Sequence, residues 1–244
     1  MNNLVIVLGM LLLSFISGML GLGVAFAAIP FLGLFFNDLV NQIQPLSLLL
    51  NGATASFSAA GFARSKLIDW PTALTLSLIT TVSAPIGSYL AHFVPQFYLW
   101  AIYVGAVSFL AYRLFRPIQS NRATPNMTLA YILAVPISIL SGLLGVGPGF
   151  LLMPTLILVG LDSKRAAAVN SIAVVPPSFS ALVPRLSSAQ WSLELAIPLL
   201  IVGALGSFLG ARITSLYVPS HRLRQIFAVM IVLVTLYKVY TLLG

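Results

Sequence analysis

The first 63 residues contain one charged residue, Asp38, and the first basic residue of the chain is Arg64. The rest of the 244-residue chain continues this pattern, with 7% charged and 59% hydrophobic residues overall. A soluble domain carries roughly 25% charged residues, so this chain has too few to cover a water-facing surface. Because helices satisfy their own backbone groups inside a bilayer, the sequence predicts an all-α, polytopic membrane protein.

Several function classes are excluded by what the chain lacks. It has no cysteine, which excludes disulfides, thiolate metal sites and thiol redox chemistry. Its formal charge of +8 would suggest nucleic acid in a soluble protein, but membrane proteins gather Lys and Arg in cytoplasmic loops. We therefore expect the lipid bilayer and no nucleic acid as partner. The acidic residues lie at segment ends and form no catalytic pair, so we expect neither an enzyme nor a cofactor or metal; they are Asp38, Asp69, Asp162 and Glu194.

Ten apolar segments follow one another along the chain. Two of them, 24–36 and 148–160, are too short to cross, since 13 residues make roughly 20 Å of helix against ~30 Å of hydrocarbon. The other eight are predicted at 4–20, 42–63, 71–92, 97–115, 127–144, 166–183, 192–211 and 222–243. A polar stretch divides the chain, and we predict a first membrane repeat at 1–116, a linker at 117–126 and a second repeat at 127–244.

One glycine-rich phrase occurs twice, just before each short segment. Residues 17–30 read SGMLGLGVAFAAIP, and residues 141–154 read SGLLGVGPGFLLMP. Further matches follow in the same order, since Arg64 pairs with Arg185 and Trp70 with Trp191 at a shared offset of 121 residues. A phrase with matches that trail it in order indicates an internal duplication.

The basic residues predict how the two repeats are oriented. If each phrase lay inside one long crossing helix, seven Lys and Arg residues would oppose five across the membrane. If each phrase is the tip of a hairpin, ten share one side and only Arg185 and Lys238 oppose them. The second arrangement has the asymmetry of the positive-inside rule. We therefore expect two inverted repeats, each a glycine-rich helical hairpin or re-entrant segment plus three transmembrane helices, with both termini outside the cytoplasm.

Inverted repeats with short or interrupted helices at matching positions are typical of transporters, whose binding site lies at the breaks. Each turn opens a new helix, and the free N–H groups at a helix start favour an anion. The alternative is that the glycines only allow close helix packing and the polar side chains only join helices. The predicted substrate-binding residues are Gly21, Gly23, Asn51, Thr54, Gly145, Gly147, Gly149, Asn170 and Ser171.

Arg64 and Arg185 occupy matching places in the two repeats and are predicted to lie on opposite faces. A matched arginine at each pore mouth would attract anions from both sides. The alternative is that each is an ordinary loop arginine.

The absence of a carboxylate deep in the membrane suggests a transport mechanism. A potential of 100 mV, negative inside, drives each negative charge outward with ~2.3 kcal/mol, so export needs no coupled ion. We expect an exporter of a small anion that works by alternating access. An ion-coupled uptake permease, a non-transporting membrane scaffold and an enzyme acting on lipid are the alternatives.

The phrase at 141–154, followed by AAAVNSIAVVPPSFSAL and by GALGSFLGARI, resembles the TauE/SafE family of sulfite exporters, also called the toluene-sulfonate uptake permease family. The resemblance covers nearly the whole chain. It implies a protein of the bacterial inner membrane that moves sulfite, organosulfonates or related sulfur compounds. The first copy departs from the family pattern, with Asn51-Gly52 where the second has Asn170-Ser171. The motif positions are Gly18, Gly21, Gly23, Pro30, Gly142, Gly145, Gly147, Gly149, Pro154, Asn170 and Ser171.

Overall fold

A computed structural model describes residues 2–95, 97–99, 101–102, 105, 109, 125–223, 225–226, 229 and 233. Within these residues the chain is helical and forms no strand. The linker and most of the segments expected at 97–115 and 222–243 lie outside the described residues. The helices with described bounds are α1 (Asn2–Leu20), α2 (Ala25–Leu32), α3 (Gln44–Phe62), α4 (Trp70–Leu90), α5 (Met127–Leu144), α6 (Gly149–Leu158), α7 (Ser163–Ala173), α8 (Val175–Leu182) and α9 (Leu193–Leu216).

Four helical stretches in the described part are long and apolar enough to cross a membrane. Two further apolar helices, Leu4–Leu20 and Gly149–Leu158, are shorter. The prediction of an all-helical protein with several membrane-spanning helices is confirmed. The four stretches are Trp70–Phe93, Met127–Leu144, Ser163–Arg185 and Leu193–Leu216.

The segment expected at 166–183 is one span built from two helices, α7 and α8. They part at Val174, because Pro176 and Pro177 have no N–H to continue the helical hydrogen bonds. The carbonyl of Ala173, which Pro177 leaves without its helical donor, accepts a hydrogen bond of 3.1 Å from Thr80 Oγ1. The break is therefore compensated across helices, as buried backbone in a membrane requires.

Pro85 lies inside α4 and removes one of its hydrogen bonds without ending the helix. Pro85 cannot donate to the carbonyl of Thr81, and Ser180 Oγ donates to that carbonyl instead at 2.9 Å. Because α4 belongs to the first half of the chain and Ser180 to the second, each half supplies a hydroxyl that the other half needs.

Both copies of the glycine phrase form the same turn between two helices. Gly21 and Gly23 have φ of 64° and 70°, and Gly145 and Gly147 have 70° and 69°. These are left-handed conformations that glycine adopts without strain. The cap bonds also match, since Leu22 N donates to Ser17 O and Val146 N to Ser141 O, both at 3.1 Å. One local sequence thus gives the same helical hairpin twice, α1–α2 and α5–α6.

The first hairpin enters the bundle beside α9. Gly206 of α9 lies against Leu11 of α1 and Gly210 against Phe15, so the two helices run in the same direction. The side chain of Phe31 near the end of α2 lies against Gly9 of α1. The open base of the first hairpin therefore lies at the end of the bundle where α9 begins.

The second hairpin enters from the opposite end. At its base, Asn126 N donates to Val159 O at 2.9 Å, and α7 begins directly afterwards. Lys164 at the start of α7 donates from Nζ to Ser215 O at 3.1 Å, near the end of α9. A helix of 24 residues is about 36 Å long, so the bases of the two hairpins lie on opposite ends of the bundle.

The two halves of the chain pack on each other through small residues. The most extensive helix contacts are α1 with α9 and α4 with α5, and each joins a helix of one half to a helix of the other. Gly18 lies against the backbone of Ser207, and Gly142 lies against the carbonyl of Ala84. Such close approach is the means by which membrane helices gain contact in the absence of a hydrophobic driving force.

Replacing Gly142 with alanine tests this packing. The added Cβ would overlap the carbonyl oxygen of Ala84, which is backbone and cannot move aside. Overpacking of this kind destabilises by about 1–3 kcal/mol, so the melting temperature of the detergent-solubilised protein is expected to fall. Gly105→Ala is the matched control, because no described residue lies within 4 Å of a Cβ there. Equal melting temperatures for the two variants would contradict the packing described here.

Candidate functional site at the two glycine turns

Asn51 of α3 lies between the two turns and contacts both. Its Oδ1 accepts from Ala25 N at 2.9 Å, and its Nδ2 donates to Ser178 Oγ at 2.8 Å. A Cβ added at Gly23 or at Gly147 would overlap the Asn51 side chain. The side chain is fully buried. Its amide thus caps the start of α2 and also fills the space beside Gly147 of the second turn.

Thr54, one turn further along α3, completes the cap of α2. Its Oγ1 accepts from Val24 N at 3.1 Å and donates to Leu50 O at 2.7 Å. Asn51 accepts from Ala25 N and Thr54 accepts from Val24 N, so side chains of α3 satisfy two of the backbone N–H groups that are free at the start of α2.

Asn170 of α7 also joins the two turns. Its Nδ2 donates to Gly21 O at 2.7 Å and to Gly149 O at 3.2 Å. Its Oδ1 is buried and has no hydrogen-bond partner in the described protein. Each half of the chain therefore contributes one asparagine that contacts both hairpins.

The two hairpins also touch directly. The rings of Phe26 and Phe150 stack with centroids 6.0 Å apart and an interplanar angle of 7°. Gly149 lies against the carbonyl of Leu22, and Gly21 lies against the carbonyl of Ala167. Most of the predicted binding residues therefore meet at one place in the interior.

Two predicted residues stand apart from this cluster. The Oγ of Ser171 donates to Ala168 O, on its own helix, at 2.7 Å. Gly145 lies against the side chain of Gln44 rather than against an asparagine. The structure thus brings together Gly21, Gly23, Asn51, Thr54, Gly147, Gly149 and Asn170.

Arg185 is fully buried and lies at the carboxyl end of α5. Its Nε donates to Ser88 Oγ at 2.8 Å, its Nη1 donates to Gln44 Oε1, and its Nη2 donates to Gly142 O at 2.9 Å. All of these acceptors are neutral. A cation at a helix C-terminus is favoured by the helix dipole, so Arg185 caps the helix that leads into the second turn.

Arg64, which the sequence pairs with Arg185, is exposed in the turn after α3. The two arginines therefore have different surroundings, and their expected place at two pore mouths stays a prediction. The Arg185 partners Gln44 and Ser88 were not predicted. No local pattern marks them, because they lie 141 and 97 residues away from Arg185 in the chain.

The chemistry of this region consists of amides, hydroxyls, backbone groups and one buried cation. Across the residues that the structure describes, no group of three or more His, Cys, Asp and Glu side chains is placed to hold a metal. A pocket of about 80 Å³ lies elsewhere, at the start of α9 beside Trp191, and none of the predicted binding residues lines it.

These features define an integral, multi-pass membrane protein whose two helical hairpins meet in its interior. The family model described as Sulfite exporter TauE/SafE matches residues 6–238, so the chain belongs to this family of membrane exporters of sulfite and related anions. The resemblance drawn from the glycine phrases is thereby confirmed. Comparisons with curated proteins and with solved structures gave no match.

Asn51→Ala is expected to destabilise the protein more than Ser171→Ala. The first change leaves the buried Ala25 N without its acceptor, at roughly 1–3 kcal/mol, whereas the second removes a bond within one helix. Both side chains are fully buried, and Asn51→Ala removes the larger volume, so the cavity that it leaves adds to the difference. Thermal unfolding in detergent measures the difference, and a lower melting temperature for the Ser171 variant would refute this role of Asn51.

Arg185→Ala is expected to lower the melting temperature, because it removes donors from the buried carbonyl of Gly142, from Gln44 and from Ser88, at about 1–3 kcal/mol for each group left unpaired. Arg64 is exposed, so Arg64→Ala is the control and should have the same melting temperature as the unchanged protein. A higher melting temperature for Arg185→Ala would mean that desolvation of the buried charge outweighs its hydrogen bonds.

Proposed function

We propose that this protein exports a small anion, sulfite or an organosulfonate or a related sulfur oxyanion, by alternating access at the meeting point of the two hairpin turns. The observation that carries the proposal is that Asn51 and Asn170 each contact both turns. A site shared by two hairpins that enter from opposite ends can open to one side or the other when either hairpin moves. The family description supplies the substrate class.

Inverted repeats are part of this proposal. Their support is the matching turn geometry, the opposite hairpin bases, and the Phe26–Phe150 stack, whose partners are equivalent positions of the two phrases.

The distribution of charge supports the same topology. Gly61, near the end of α3, lies against Arg212 N, and Lys164 contacts Ser215, so one end of the bundle gathers basic residues while Arg185 lies towards the other. By the positive-inside rule, the basic end faces the cytoplasm. The described cations at that end are Arg64, Lys66, Lys164, Arg165, Arg212 and Arg222.

Anion binding at this place rests on the helix starts. The N-terminal ends of α2 and α6 both point at the region between the hairpins, and helix starts favour negative charge. In the described arrangement Asn51 and Thr54 occupy the amides of α2. We infer that an oxyanion replaces these side-chain caps when the hairpins part, which keeps the backbone donors satisfied in both states.

The driving force follows from charge alone. None of the described hydrogen bonds around the two turns involves a carboxylate, so the site does not repel an anion. A membrane potential of 100 mV supplies ~2.3 kcal/mol for each negative charge that leaves the cell. Under this potential a facilitator can export the anion without a coupled ion.

One observation favours the alternative of ion-coupled uptake. Asn170 Oδ1 is an acceptor that has no partner among the described residues, and Asn170 Nδ2 donates to two backbone carbonyls. Unwound backbone carbonyls at broken helices coordinate Na⁺ in coupled transporters. The flux experiment must therefore separate the two modes.

The deciding measurement is flux of sulfite, sulfoacetate and thiosulfate in proteoliposomes under an imposed potential and no proton or sodium gradient. Flux that follows the potential is expected. Flux only after a proton or sodium gradient is added would establish the coupled alternative. No flux of any of these anions in either condition would reject transport and favour a scaffold.

Gly147→Ala is expected to slow this flux by roughly 10–100-fold, since misplacing site groups by about 1 Å has effects of that size. Gly147 has φ of 69°, and a Cβ there would overlap Asn51. Gly105→Ala, with open space around it, should transport at the unchanged rate. Unchanged flux for the Gly147 variant would remove the second turn from the site.

A further inference from the structure

Five buried serines have no hydrogen-bond partner among the described residues. One is Ser47 of α3, and the other four are Ser14 and Ser17 of α1 and Ser138 and Ser141 of α5. Each is fully buried, with 0% of its surface exposed. Buried polar groups are nearly always paired, so these unpaired hydroxyls call for an explanation.

The four serines of α1 and α5 occupy equivalent positions in the two repeats. Residues 14–23 read SFISGMLGLG and residues 138–147 read SILSGLLGVG, which places the serines four and seven residues before the first glycine of each turn. The same unpaired hydroxyls thus recur in two hairpins that enter from opposite ends.

Other hydroxyls of this chain show what a helical serine normally does. Ser56 donates to Gly52 O at 2.8 Å, Ser83 to Ile79 O at 2.9 Å and Ser178 to Val174 O at 2.6 Å, each one turn back along its own helix. The four unpaired serines make no such bond. Their hydroxyls have no hydrogen-bond partner among the residues that the structure describes.

The positions of the serines relate them to the proposed site. Ser14 Oγ lies beside Gly203, which also lies against Thr54, the residue that caps α2. Ser17 precedes Gly18, which accepts from Ser58 on the side of the bundle where α3 ends. Ser141 precedes Gly142, which accepts from Arg185 on the opposite side. Ser14 is therefore level with the cap of α2, Ser17 lies nearer to the end where α3 ends, and Ser141 lies towards the opposite end.

We propose that Ser14 with Ser17, and Ser138 with Ser141, line the two half-pathways by which the anion reaches the meeting point of the two hairpin turns, one half-pathway on each side of it. This inference rests on the proposed function and extends it to residues outside the turns. In the described arrangement each half-pathway is closed and its hydroxyls lack partners. When one half opens, its two hydroxyls donate to an oxyanion, and because they carry no full charge they bind it weakly enough to release it.

The chain contains no cysteine, so single cysteines can be introduced into the full-length protein without a background. Ser17→Cys and Ser141→Cys test one position of each half-pathway. Ser207→Cys is the matched control, because Ser207 is equally buried but donates to Thr54 O at 2.6 Å. The probe is 2-sulfonatoethyl methanethiosulfonate, a membrane-impermeant thiol reagent that is itself an organosulfonate, added to one face of oriented vesicles.

Labelling about tenfold faster than at position 207 is expected for both variants, since thiol modification depends on access. Position 17 should react from the face that carries Arg212 and position 141 from the other face, and sulfoacetate should slow both reactions. Labelling no faster than at position 207, or from the same face at both positions, would overturn the inference.

Alanine variants separate a pathway role from a packing role. Ser17→Ala and Ser141→Ala remove a hydroxyl that has no partner, so the melting temperature should not fall. Anion flux should fall about tenfold, the size expected from one lost hydrogen bond to a charged ligand. A lower melting temperature with unchanged flux would show that the serines only pack. Wild-type flux is a separate readout, and its absence overturns the proposed function, whereas slow labelling with normal wild-type flux overturns the serine pathway alone.

Discussion

The interior of a bilayer offers no water to an unpaired backbone group, and this constraint governs the whole molecule. The chain breaks its helices at two turns in the bundle interior, which exposes amides and carbonyls that need partners. Asn51 and Thr54 supply acceptors at the first turn, and Asn170 supplies donors to carbonyls of both turns. The small residues of the surrounding helices let these helices approach closely. Their short polar side chains can then reach the free backbone groups at the turns and at the prolines.

The same constraint explains why polar side chains of one half of the chain form hydrogen bonds to the backbone of the other half. Thr80 and Ser180 each donate to a carbonyl that proline leaves free on the other half, and Ser207 donates to the carbonyl of Thr54. Each half therefore supplies hydrogen bonds to carbonyls that proline leaves free in the other half. Hydrogen bonds from side chains to free backbone groups are therefore concentrated around the region where an anion would bind.

The glycine turns, the two short helices and most helix bounds could be predicted from the sequence. They depend on local features, since positive φ selects glycine and a lack of charge marks a span. The split between α7 and α8 was missed, although Pro176 and Pro177 stand in the sequence, because prolines are common inside membrane helices. The burial of Arg185 was missed for another reason. Its surroundings depend on Gln44, which is 141 residues away in the chain, and the match with Arg64 says nothing about such a partner.

The contacts between α1 and α9 and between α4 and α5 have a consequence for motion. Each pair joins a hairpin of one half of the chain to a long helix of the other half, through close glycine and backbone contacts. Under the proposed alternating access, each hairpin would therefore move together with the long helix that it contacts. The moving bodies would then be the two mixed pairs, and neither half expressed by itself would contain a complete one.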